Sequence, residues 1–156
     1  MDPDRLPFST LCKILGITER RGKEWKRTGL FEAEGPERCG ELDAIKGAIV
    51  KVLLNELDRD DVDMVWHHIR ERLGDIVFGP RVDLACLITG RDAALCRTDE
   101  DLGKAISAGG SVTVIPLAAH IRIVRDRFAN EVAARKAKQM RTIGEPVKRS
   151  ARSKDG

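Results

Sequence analysis

The sequence predicts an α+β fold: an N-terminal helix-turn-helix region followed by a small α/β unit with about three strands and a long C-terminal helix. Three observations carry this. Apolar residues repeat at spacings of three and four up to about residue 73. A short, mostly apolar run, VDLACLI, and a β-branched one, SVTVIP, then appear between glycine-marked turns. From Leu117 the spacing of three and four returns and lasts to about Met140.

Ser9 to Leu15 (STLCKIL) reads as a short helix with Ser9 as its cap, and Leu11, Cys12 and Leu15 fall on one side. Gly16 ends it, Thr18 caps a second helix to about Thr28, and Gly29 stops that one. Residues 30 to 42 form a loop or small hairpin around Gly35-Pro36. Leu42, Ile45, Ile49 and Val52 place a helix over Asp43 to Leu57. Val62, Val65, Trp66, Ile69 and Leu73 place another over Asp61 to Leu73, and the acidic run from Asp58 suits its N-terminus. Gly79-Pro80 marks the expected boundary. Beyond it come strands at Val82 to Ile88, Ala93 to Arg97 and Ser111 to Pro116, with a short helix from Asp99 to about Ala108 between the last two. The expected domains are residues 1–74, residues 82–141, and a disordered basic tail over 142–156.

Charge is unevenly spread among the 156 residues. The net of +3 divides into 0 for residues 1–42, −4 for 43–118 and +7 for 119–156. A basic end and an acidic middle favour a polyanionic or acidic partner over a small anionic substrate. No run of eighteen apolar residues and no charged-then-apolar leader occurs, so the expected location is cytoplasmic, with no membrane. Cys12, Cys39, Cys86 and Cys96 match no zinc or redox spacing and are expected to be small buried hydrophobes in a reducing compartment. Cys39, in a polar loop, keeps metal or redox sensitivity open.

The stretch ITERRGKEWKRTGLF sets five basic residues around one tryptophan. At about 100° per residue, Arg20, Lys23 and Arg27 share one face with Lys26 at its edge, while Gly22 and Trp25 lie opposite. Trp25 therefore points inward. A glycine in a helix costs roughly 1 kcal/mol, so Gly22 serves either the Trp25 indole or a close helix approach. An outward basic trio on the second helix is what major-groove docking uses.

Residues 8 to 31, FSTLCKILGITERRGKEWKRTGLF, resemble without a gap the winged helix-turn-helix of MerR-type regulators. The matching positions are Cys12 for a common alanine, then Gly16, Ile17 and Thr18, the cations Arg20, Lys23 and Arg27, and the closing Gly29-Leu30. The stretch is equally similar to the excisionase and phage small-terminase branch of that superfamily, where a tryptophan at Trp25 is common. The resemblance implies a DNA-binding transcriptional regulator, with Arg20, Lys23 and Arg27 contacting double-stranded DNA and Trp25 replacing a tyrosine that touches phosphate or supports the helix. Thr18, Arg21, Lys26 and Arg38 complete the expected contact set. Gly22 stands where an aliphatic residue is usual, and the wing position carries Glu32, Glu34, Glu37 and Glu41 against Arg38. The alternatives are an architectural or packaging DNA-binding protein, and a protein-interaction adaptor that binds no DNA.

Asp63, His67 and Glu71 recur every four residues, but they face away from the apolar side of their helix and read as a polar face. His68, beside the apolar side, reads as partly buried. No nucleophile, carboxylate pair or phosphate loop has catalytic context, so neither an enzyme, a cofactor nor a metal is expected. Leu117, Ile121, Val124, Phe128 and Val132 approach a heptad seam. They are expected to cover the strands, to form the homodimer interface that paired half-sites require, or to do both, covering the sheet at the start of the helix and crossing a partner further on. A small effector or protein partner is assigned to the C-terminal unit, and the basic residues after the seam either add nonspecific phosphate affinity or solubilise the end.

Overall fold

Alternation between helix-forming and strand-forming runs gives eleven elements among the described residues of the computed structural model, which are 4–32, 38–73, 85–89, 92–96, 99–108 and 112–155. They are β1 (Leu6–Pro7), α1 (Phe8–Leu15), α2 (Glu19–Arg27), β2 (Arg38–Cys39), α3 (Glu41–Glu56), α4 (Arg59–Arg70), β3 (Ala85–Thr89), β4 (Asp92–Cys96), α5 (Asp99–Ser107), β5 (Val112–Pro116) and α6 (Ala118–Asp155). The chain is mostly helical. Its sheets are small and antiparallel: β1 with β2, and a three-strand sheet in the order β4-β3-β5.

The N-terminal elements follow from local chemistry with one exception. α1 begins after Pro7 with no side-chain cap, so Ser9 lies inside its first turn rather than at its cap. Proline's fixed φ already suits a helix entry. Gly16 closes α1 in the left-handed region (φ 71°), which a side chain would strain. Thr18 then takes an extended conformation and accepts a hydrogen bond from the Arg21 backbone N–H at 3.1 Å, starting α2. The expected hairpin around Gly35-Pro36 lies partly outside the described residues. What is described is β2, which pairs with β1: Leu6 opposes Cys39 and Pro7 opposes Arg38.

α3 is the centre of the molecule. Besides the expected Ile45, Ile49 and Val52, it buries Ala44, Gly47, Ala48, Val50 and Leu53. A helix apolar on nearly every side has to be covered on every side. α1, α4 and α6 all pack against it. The approach of α1 is close: a Cβ on Gly47 would collide with the Leu15 side chain. At the start of α3, the Asp43 carboxylate accepts the Gly40 backbone N–H at 2.9 Å, a capping contact that lets a carboxylate be buried there.

The three strands occur where expected, with Thr89 and Asp92 each extending one residue past the expected bounds and Pro116 ending the last as expected; residues 82–84, 97 and 111 of the expected strands lie outside the described residues. The sheet leans on α4 through β4, with α5 on β3 and β4. Among the described residues, α6 makes its main contacts elsewhere than on this sheet. It packs on α3 and α1, so Leu117, Ile121, Val124, Phe128 and Val132 enter the same apolar cluster as Leu11, Ile49 and Leu53. The core is thus continuous across the boundary expected at residues 74–82. α6 also continues through the stretch expected to be a disordered tail. Lys148, Arg149, Ala151, Arg152 and Lys154 are good helix formers, and the backbone carries on past Gly144 and Pro146. Among the described residues, no helix is long and apolar enough to cross a membrane.

Candidate nucleic-acid interface

α2 carries five basic and two acidic residues on nine positions, and its phase sorts them. Gly22 and Trp25 are buried, while Arg20, Arg21, Lys23 and Arg27 are exposed. The inward side explains the glycine. A Cβ at Gly22 would lie 2.8 Å from Cys12 Sγ and 2.8 Å from Phe8 Cζ. Of the two roles open to Gly22, close approach of α2 to α1 is the one realised. Trp25 packs in the core at 4% exposure. Its backbone carbonyl accepts from the N–H groups of Leu30 and Phe31, which folds the chain back after Gly29 (φ 76°).

The cations divide into two sets. Lys26 is half-buried with Nζ 3.7 Å from the Phe8 ring centroid, and the Arg21 guanidinium lies 5.7 Å from the Trp25 ring. Both are held by aromatic faces, which anchors the stems and leaves charge at the surface. Arg20, Lys23 and Arg27 form the outward set. Among the described residues neither Arg20 nor Lys23 enters an ion pair. Arg27 meets Glu24 at 3.9 Å, an exposed pair of little energetic weight that a phosphate would displace. Thr18 is spent on capping, although its side chain remains exposed. Arg38 is half-buried on β2, opposite Pro7.

The acidic loop is only partly described. Glu34 and Glu37 lie outside the described residues, and Glu32 is exposed. Glu41 is neutralised by the Arg125 guanidinium, 2.6 Å away on α6. The C-terminal helix therefore removes part of the negative charge that the sequence sets beside α2.

α6 supplies further contacts that sequence reasoning missed. Arg127 donates to the Ile14 carbonyl at 3.1 Å, and Lys51 of α3 donates to the Leu15 carbonyl at 2.8 Å. Both satisfy carbonyls that the end of α1 leaves open. Arg135 donates to Thr10 Oγ1 at 2.8 Å, and Lys136 meets Asp4 at 2.8 Å. Arg135 and Lys136, the first of the basic residues expected either to add nonspecific phosphate affinity or to solubilise the end, each contact a residue near the N-terminus. The sequence hint is a lysine, Lys51, inside the apolar run from Ala48 to Leu54.

The remaining candidates stay apart from this surface. The seam of Leu117, Ile121, Val124, Phe128 and Val132 is buried at 0 to 9% exposure within one chain. A second chain could reach those side chains only by displacing α6 from α3. Asp63 and His67 are exposed on α4, with Asp63 3.8 Å from Arg59. His68 is exposed too, against the expectation of partial burial, its ring edge-on to that of His67. Cys12, Cys39 and Cys96 are buried thiols; Cys86 side-chain surroundings lie outside the described residues. Burial, reinforced by Asp43, pushes the Cys39 thiol up to about 11, which replaces the reactive reading of that residue with an inert one.

The chain matches no protein-family model and no curated protein sequence.

Proposed function

We propose that this protein is a DNA-binding regulator that presents α2 to the major groove of double-stranded DNA, in the manner of a winged helix-turn-helix. One observation carries the reading: Arg20, Lys23 and Arg27 project together from a helix whose opposite side is locked to α1 by the Gly22 contact and the buried Trp25. Rigid backing of this kind gives long cations a defined place from which to meet phosphates and base edges. Arg21 and Lys26, steadied on aromatic rings, add phosphate attraction at the flanks. Arg38 on β2 adds a cation toward phosphate, while the acidic residues that the sequence sets beside it act against docking of the wing. If the protein reads paired half-sites, its second copy meets a surface other than the Leu117 to Val132 seam.

The test is selection of bound duplexes from a random DNA pool, followed by a salt titration of the winner. An Arg20→Ala, Lys23→Ala, Arg27→Ala triple variant that keeps the wild-type melting temperature should lose specific binding. Its log-affinity slope against log salt should fall by about 2 to 3, close to one for each phosphate that is no longer neutralised. Undiminished binding by the folded triple variant at physiological salt rejects α2 as the reading helix.

A further inference from the structure

Between α3 and α6, behind the last turn of α1, lies a cleft of about 240 Å³. That is room for about eight water volumes. Its walls are apolar, from Leu15, Ala48, Val52 and Val124. Its polar groups are Lys51, Arg127, His120 and Asn55, and no carboxylate lines it among the described residues.

Lys51 and Arg127 are positioned by the fold itself. They bind consecutive carbonyls, of Leu15 and Ile14, at the negative end of α1. This use occupies one of three ammonium donors and one of five guanidinium donors, so both groups keep hydrogen-bonding capacity for a ligand. Two cations brought to adjacent carbonyls repel one another, and an anion between them relieves that repulsion.

We infer that this cleft binds a small carboxylate with an apolar body, its carboxylate held by Lys51 and Arg127 and its body laid on Leu15, Ala48, Val52 and Val124. Charge complementarity selects the head and the apolar walls select the tail. A bare anion satisfies only the first requirement and an alcohol or amide only the second. The inference does not rest on the proposed DNA binding, and its test contains no DNA.

The full chain is titrated with hexanoate, with hexanamide as the uncharged counterpart and inorganic phosphate as the anion without a body, following backbone amide signals by NMR. Hexanoate should saturate and shift the amides of Ala48, Val52 and Val124, with both controls at least about tenfold weaker, as expected when either the charge-assisted hydrogen bond or the apolar body is missing. Arg127→Met should weaken hexanoate about tenfold. Since Arg127 also caps α1, a second variant guards against a purely structural loss. Ile123 is 48% exposed at the rim, so Ile123→Glu places a negative charge at the mouth without opening the core. It should abolish hexanoate binding and leave the melting temperature unchanged. Absence of saturable binding, equal binding of hexanamide or phosphate, or undiminished binding by Ile123→Glu overturns the inference.

Discussion

The Arg127 guanidinium on α6 donates a hydrogen bond to the Ile14 carbonyl on α1, 113 residues earlier in the chain. With Lys51 on the neighbouring Leu15 carbonyl, it closes the end of α1 just where the chain turns toward α2. The C-terminal helix is thus a structural partner of the N-terminal helices. Arg127→Ala should destabilise the chain by about 1 to 3 kcal/mol, the range for a lost hydrogen bond to a charged group. Arg125→Ala, which removes an exposed pair with Glu41, should cost about 0 to 1 kcal/mol. Urea denaturation of the two variants checks the difference, and equal losses would show that the α1 end does not depend on Arg127.

Close packing of α2 on α1 at Gly22 makes the smallest side chain there disruptive. Gly22→Ala gains roughly 1 kcal/mol of helix propensity. It also sets a methyl 2.8 Å from both Cys12 Sγ and Phe8 Cζ, and overpacking of this sort costs about 1 to 3 kcal/mol. Net destabilisation is expected. It should shrink when Cys12→Ala is added, because the shorter side chain clears one of the two obstructions. A double-mutant cycle measures that coupling, and additive effects would place the cost elsewhere.

Phe128 distinguishes an internal seam from an interface. Phe128→Ala should destabilise the chain by about 3 to 5 kcal/mol, as for other buried phenylalanines. The solution mass of the remaining folded protein should not change. Sedimentation together with thermal denaturation tests both parts; a smaller mass with preserved stability would return Phe128 to a subunit boundary.

Cys39 sets a dependence on alkaline pH. Its thiol is raised from an ordinary 9.0 to about 11, chiefly by burial. A group with a raised folded-state pKa contributes stability that is whole below its unfolded pKa and is lost as pH climbs through the folded value. The stability advantage of the wild type over Cys39→Ala should therefore narrow between pH 9 and 11. In the native state at about pH 8, below either value, iodoacetamide should modify Cys39 far more slowly than in urea. Rapid native alkylation would contradict the burial.

Much of the helical content is legible in the chain because its signals are local. Gly16, Thr18 and Gly29 bound α1 and α2 through backbone conformation and capping, which depend on near neighbours. The division of α2 into an outer basic trio and an inner Gly22-Trp25 pair follows from helical phase alone. The cap at Ser9 fails because Pro7 already sets the entry to α1. The seam from Leu117 shows that α6 buries one side, but an apolar stripe carries no mark of what covers it. Intramolecular and intermolecular burial require the same spacing of residues.

By itself, the sequence determined most of the helices and the three later strands, which side of α2 faces outward, and how charge is distributed along the chain. Tertiary structure alone decided that α6 covers α3 and α1, that Arg125 neutralises Glu41, and that Arg127 and Lys51 meet at adjacent carbonyls. Those hydrogen bonds join residues between 36 and 113 positions apart. They depend on how helices stack once α3, apolar on nearly every side, has to be enclosed, and no local pattern encodes the choice of partner.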